Sequence, residues 1–301
     1  MTLFIRCAIN VRSALKFFLS RCDHKLLLIA FLLTILPVKT RAEPPTHPTS
    51  KGSFFVYWGY NRSMYSWSDI HFDGSNYDFT LRHVKASDRQ VPFSVKEYFN
   101  PKNIWIPQYN YRIGYFLKDR WAISLGLDHM KYVVDQGQNV TMDGFVSPDR
   151  SARYGADAGL SRTVMIEPGL LTYEHSDGLN LLSVDLDHYD LLWMSKNERY
   201  YLRAYEGLHA GPVIPRTDVR LFGEGINNRF NIAGYGVGAQ VGLHLTFLKH
   251  FFLRNTLKAG WIDLPNVLTT GKSEDHAGQH FWFVQHAVVF GGQFRLWSKH
   301  E

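Results

Sequence analysis

Cysteine is confined to Cys7 and Cys22 in a chain of 301 residues. The chain beyond Cys22 has no thiol, which excludes disulfide staples, thiolate metal sites and a cysteine nucleophile there. Neither cysteine comes after the apolar run Leu26 to Leu36, so lipid attachment at such a residue is excluded too. Long apolar runs are also missing. Nothing after that run approaches the roughly 18 residues that signal a membrane-spanning helix. An excess of one charge is missing as well, although the whole chain carries 33 Lys plus Arg against 27 Asp plus Glu. Seven of those cations (Arg6, Arg12, Lys16, Arg21, Lys25, Lys39 and Arg41) and only Asp23 of the acids lie in residues 1–42, leaving 26 of each sign afterwards. Residues 43–301 are therefore formally neutral, and a nucleic-acid partner has no electrostatic footing.

The first 42 residues have a basic region, an apolar run and a Thr40-Arg41-Ala42 ending. They read as a secretory signal peptide, with 43–52 a Pro-rich periplasmic leader. An exported chain without a spanning helix is periplasmic, secreted or a membrane barrel.

The stretch Asn231 to Phe247 favours the barrel. Ala233, Tyr235, Val237, Ala239, Val241, Leu243, Leu245 and Phe247 fall on one face, and Gly234, Gly236, Gly238, Gln240, Gly242, His244 and Thr246 on the other. Period two is a β-strand, and four glycines on one face weaken a soluble strand. In a narrow membrane barrel the apolar face meets lipid, while the small face lets the wall curve or leaves room for lumenal side chains such as Arg112 and Arg254.

The same alternation recurs in Ile104 to Leu117, Trp121 to Asp128, Phe251 to Asp263 and His280 to Trp297. Leu179 to Met194 reads as a strand whose faces are blurred by Asp185, Asp187, His188 and Asp190. Short turns such as Lys118-Asp119-Arg120 and Lys196-Asn197-Glu198 alternate with polar excursions at 62–103, 135–178, 214–229 and 264–279. That asymmetry predicts an all-β fold: a transmembrane antiparallel up-and-down β-barrel over 53–301, of about eight strands, with the excursions as extracellular loops. Hairpins inside the loops, such as the one turning at Asp73-Gly74-Ser75-Asn76, raise the count to ten or twelve if they join the wall. Arg112, Asp128, Gln240, His244, Arg254, Lys258, Gln285, Gln293 and Arg295 fall on the lumenal face. Buried charges must pair, so the expectation is a packed polar plug, with a small-molecule pore as the alternative.

The final strand, Val289-Phe290-Gly291-Gly292-Gln293-Phe294-Arg295-Leu296-Trp297, together with the signal peptide and alternating strands, resembles the small outer-membrane β-barrel proteins of Gram-negative bacteria. The resemblance implies a structural or surface-interaction role, surrounded by outer-membrane lipids and lipopolysaccharide. The spacing Gly291-x-x-Phe294-x-Leu296 is similar to the signal such proteins present to the barrel-assembly machinery, which implies recognition through strand 280–297. It departs by ending in Trp297 and four further residues. A second, local resemblance lies in Glu174-His175-Ser176-Asp177-Gly178, which is similar to the His-x-Ser-Asn motif of outer-membrane phospholipase and lipid A deacylase barrels. It implies that His175 activates Ser176 against an acyl ester, with Asp177 in place of the orienting asparagine. Here serine directly follows histidine, and strand neighbours point to opposite faces. Catalysis therefore requires a turn or bulge, and Ser176-Asp177-Gly178 also reads as a plain hairpin turn. The 13 histidines after residue 42 show no metal-ligand spacing in a clear helix, so no metal or cofactor is expected.

Overall fold

The computed structural model describes residues 50–100, 102, 107–225 and 229–295. The expected signal peptide, most of the leader, Trp105, Leu296 and Trp297 lie outside them. Among the described residues no helix is long and apolar enough to cross a membrane.

Eight antiparallel strands close a ring: β1 (Phe54–Tyr65), β5 (Tyr109–Lys118), β6 (Trp121–Val134), β9 (Leu171–Met194), β10 (Tyr201–Val213), β12 (Gly234–Phe247), β13 (Phe251–Leu268) and β14 (His276–Phe294), with β14 pairing back to β1. The ladder Phe55, Gly114, Ser124, Asp185, His209, Gly238, Gly260, Phe283 returns to β1 at Tyr65, ten residues further on. Such a stagger goes with strands tilted by about 35–45° and an interior just wide enough for side chains.

Alternation decides which face each residue takes. Ile123, Leu125, Val184, Leu186, Leu208, Val237, Val241, Leu253, Val288 and Phe290 are exposed around the outside. Phe54, Trp121, Trp193, Phe251 and Phe294 cluster towards the short-turn end, and Tyr235, Trp261 and Trp282 form a rim near the other. An apolar band between two aromatic girdles is the surface of a membrane-spanning barrel. At the start of β1, Phe55 is buried inside, while Phe54 packs outside against Tyr115.

The long excursions carry strands of their own. The first contains β2 (Ser68–Gly74), β3 (Tyr77–Val84), the short β4 (Ala86–Ser87) and one helical turn, α1 (Val95–Tyr98), and β1 itself runs past Arg62 to Tyr65. The second contains β7 (Asn139–Val146), β8 (Ala156–Met165) and the beginning of β9, and the third contains β11 (Asp218–Leu221). In the fourth, β13 continues to Leu268 and β14 begins at His276. None of β2, β3, β7 or β8 enters the ring; they extend the sheet from the far end of β14 in the order β14-β2-β3-β7-β8.

These strands and the upper ends of β6, β9, β13 and β14 form a head beyond the aromatic rim. Its core includes Ile70, Phe72, Phe79, Leu81, Tyr132, Val140, Met142, Tyr173, Leu179, Val219, Leu264 and Phe281. Phe72 stacks on Phe79 at 5.2 Å, and Tyr132 on Phe281 at 4.7 Å. The head buries apolar groups as a soluble protein does.

Candidate functional site

The lumen of the ring holds a cluster of ion pairs. Arg112 from β5 reaches Asp128 of β6 with Nη2 at 2.9 Å, and its Nε lies 3.1 Å from Asp185 of β9, off the N–H direction. Lys258 of β13 donates to Asp128 at 2.7 Å and lies 3.5 Å from Asp185. Ser183 donates to Asp185 at 2.7 Å, and Gln240 reaches both Asp185 and Asp187. Towards the short-turn end, Arg254 pairs with Asp187 at 2.8 Å and lies 3.7 Å from the centre of the Tyr205 ring. Unpaired, any of these charges would cost several kcal/mol to hold here. Arg112, Asp185 and Gln285 each have 0% exposure, so the lumen is filled at their level.

Glycines make the cluster possible. A Cβ at Gly126 would stand 2.1 Å from Arg112 Cγ, and one at Gly207 would stand 2.1 Å from Asp187 Oδ1. The glycine face of β12 makes room differently from the expectation: Gly238 accommodates His209 and Gly242 accommodates Tyr205. The link to Arg254 is indirect, through the Tyr205 ring on which it lies. Arg112 owes its space to Gly126.

Arg112, Asp128, Gln240, Arg254 and Lys258 thus converge. His244 is buried nearer the short-turn end, where it stacks on Phe252 at 4.5 Å, and Arg295 is exposed just after β14. Sequence reasoning missed Asp185, Asp187, Ser183 and Arg203. A signal for them existed: residues 181, 183, 185, 187 and 189 share one face of β9, and Tyr201, Arg203 and Tyr205 share one face of β10. Arg203 has no acidic partner among the described residues; it donates to Ser50 Oγ at 3.1 Å and lies over Phe116, Tyr189 and Tyr201.

The His175 motif lies in the head, above the spanning part of β9 (180–194). Ser176-Asp177-Gly178 is not a hairpin turn but a bulge within β9. From Leu179 to His175 the strand spends four steps where β6 spends two, from Met130 to Tyr132, and Gly178 takes φ 124°. Inside, His175 is fully buried, its Nδ1 is 2.8 Å from Thr217 Oγ1, and it packs on Tyr132 and Tyr173. Burial lowers its pKa to about 3, so it is neutral. Ser176 points outward and donates to Glu174 at 3.2 Å, and Asp177 pairs with Arg216 at 3.1 Å. The bulge does not bring His175 and Ser176 together: an imidazole in the core cannot take a proton from a hydroxyl on the outer face.

No protein-family model matches the chain, and no curated protein matches it. Solved structures similar to it include the outer membrane protein OprG from Pseudomonas aeruginosa, at 12% identity and TM-score 0.34 over 83% of this chain and 99% of that one. The outer membrane protein AlkL in lipid bilayers is similar at 13% identity and TM-score 0.36, covering 87% and 99%. Neisserial surface protein A is similar at 10% identity and TM-score 0.29, covering 78% and 98%. The ring of eight strands, its outward apolar band, its girdles and its packed polar lumen make this chain an outer-membrane-type β-barrel.

Proposed function

We propose that the barrel is a closed anchor in the outer membrane and that the protein acts through the head, which it holds on the cell exterior for surface contacts or envelope structure. The observation that carries this reading is the opposition of a lumen filled by the Arg112–Asp128–Lys258–Asp185 cluster to a head with an apolar core of its own. A conduit needs an open path, whereas a display scaffold needs a rigid wall and an ordered top. On this reading the chain is exported by its signal peptide, sits among outer-membrane lipids and lipopolysaccharide, and is delivered to the barrel-assembly machinery by strand 280–297. The short turns then face the periplasm, and the head faces out.

Two measurements test it. Purified protein in planar bilayers is expected to give no steady conductance; a stable channel would overturn the closed-anchor reading. An epitope inserted at the Gly74–Ser75–Asn76 turn of the β2–β3 hairpin is expected to be labelled on intact cells. Labelling only after the outer membrane is broken would overturn the orientation.

A further inference from the structure

The head carries an outward-facing cavity of about 270 Å³ on the β9–β11 ladder. Strand alternation supplies its floor. Leu171, Tyr173, Val219 and Leu221 are buried in the core of the head, so Thr172, Glu174, Asp218 and Arg220 project from the opposite face. Asp218 stands directly across from Glu174, and Arg220 across from Thr172, with the two rows roughly 7 Å apart along the strands. Pro168 and Gly223 lie beyond the Leu171–Leu221 pair and wall that end of the cavity.

Two carboxylates directly opposite each other on one face repel, and each calls for a cation. Glu174 has one: Arg89 Nη1 lies 2.9 Å from its Oε2, while Ser176 donates to its Oε1 at 3.2 Å. Asp218 has none. Arg216, two residues before it, is held by Asp177 at 3.1 Å. Among the described residues nothing pairs with Asp218, and its Oδ1 is buried without a hydrogen-bond partner. Arg220 is exposed, and among the described residues no carboxylate pairs with it either. The cavity thus presents an unmatched carboxylate and an unmatched guanidinium, one row apart, that do not close on each other.

We propose that this cavity binds a small zwitterion: a primary ammonium held by Asp218 and Glu174, joined through a short chain to an anionic group held by the Arg220 guanidinium and the Thr172 hydroxyl. An ammonium brings three N–H donors, enough to reach both Asp218 Oδ1 and Glu174, and its charge relieves the repulsion between the two carboxylates. The guanidinium receives a phosphate or a carboxylate through paired N–H donors. A lone anion would meet the two carboxylates, and a lone amine would leave Arg220 unmatched, so both charges are required in one molecule. Phosphoethanolamine head groups and free amino acids with separated charges share that chemistry. The site belongs to the head and so rests on the head being the acting part. Binding to purified protein does not depend on the side the head faces, so its failure and a failure of epitope labelling at the β2–β3 turn are separate results.

Calorimetric titration of the full chain in micelles of an uncharged detergent tests the site, with O-phosphoethanolamine and β-alanine as probes. Saturable binding of at least one of them is expected, and the tighter of the two identifies the source of the ligand. Ethanolamine, inorganic phosphate and propionate, which carry one charge sign each, should bind at least tenfold more weakly. Asp218→Asn and Arg220→Gln lie on the outer face, away from the core, and each should weaken binding at least tenfold with the heat-modifiable gel mobility unchanged. If one variant does not fold, the other and the single-sign probes still decide. A single-sign probe that binds as tightly as the zwitterions, full affinity in either folded variant, or no saturable binding of either zwitterion in the millimolar range would each overturn the proposal.

Discussion

The barrel and the head are made partly of the same strands, yet they are inside-out versions of each other. Along the inner face of β14, Gln285 sits among polar lumenal groups, while Phe281 and Ala277 a few positions on belong to the apolar core. On β9 the inner face changes from Asp187, Asp185 and Ser183 to Leu181 and Leu179, and on β13 from Arg254 and Lys258 to Ile262 and Leu264. The outer face changes in the opposite sense: Val184, Trp261 and Trp282 give way to Glu174, Asp263 and His280. The solvent around the strand sets the pattern. Where lipid is outside, polar groups are driven inward and must neutralise one another; where water is outside, apolar groups are driven inward and need only fit.

This contrast can be broken on either side. The largest expected effect is Asp128→Ala, which strands Arg112 and Lys258 in the lumen and should cost about 3–5 kcal/mol of barrel stability, measured by urea unfolding in lipid vesicles; a loss under 1 kcal/mol would mean that water reaches the cluster. Phe79→Ala removes a core ring that lies only in the head. It should cost about 3–5 kcal/mol there, seen as faster proteolysis of β2–β3 and β7–β8, with the heat-modifiable gel mobility of the barrel unchanged.

Acid offers a gentler probe. His175 titrates near its ordinary value when unfolded but only at about 3 when folded, so its contribution is complete above pH 6.5 and is lost as pH falls from there towards 3. Lowering pH from 8 to 5 should cost the head about 2 kcal/mol. Hydrogen exchange in β9 and β11 reads the loss, and a His175→Gln chain should not show that pH dependence. The smallest effect has the opposite sign. Glu206 faces outward on β10 beside His188, 3.8 Å away, and Glu206→Leu should stabilise the inserted barrel by about 1 kcal/mol.

The barrel was legible in the sequence wherever lipid enforces strict alternation, as in β12, β13 and β14. The head was less so, because β7, β8 and β11 are short strands among polar residues and read as excursions. β9 was cut short for a related reason. Its inner face changes polarity at the rim, and the two extra residues of the Gly178 bulge imitate a turn. They preserve the parity of the strand, so that His175 and Tyr173 stay inside with Leu179. Of the lumenal cluster, the cations and Asp128 stood out on clean strands. Asp185 and Asp187 were hidden by His188 and Asp190, which occupy the opposite face.

β9 runs for 24 residues, β13 for 18 and β14 for 19, and each passes from wall to head as one strand, bulged in β9 at Gly178 and in the β13–β14 ladder between Leu264 and Val267. Traction applied to the head is carried by β14 straight into its ladders with β1 and β13, which it loads in shear along many hydrogen bonds at once. The molecule behaves as a stake whose shaft and crown are one piece, and it transmits force to the membrane without first unfolding a linker.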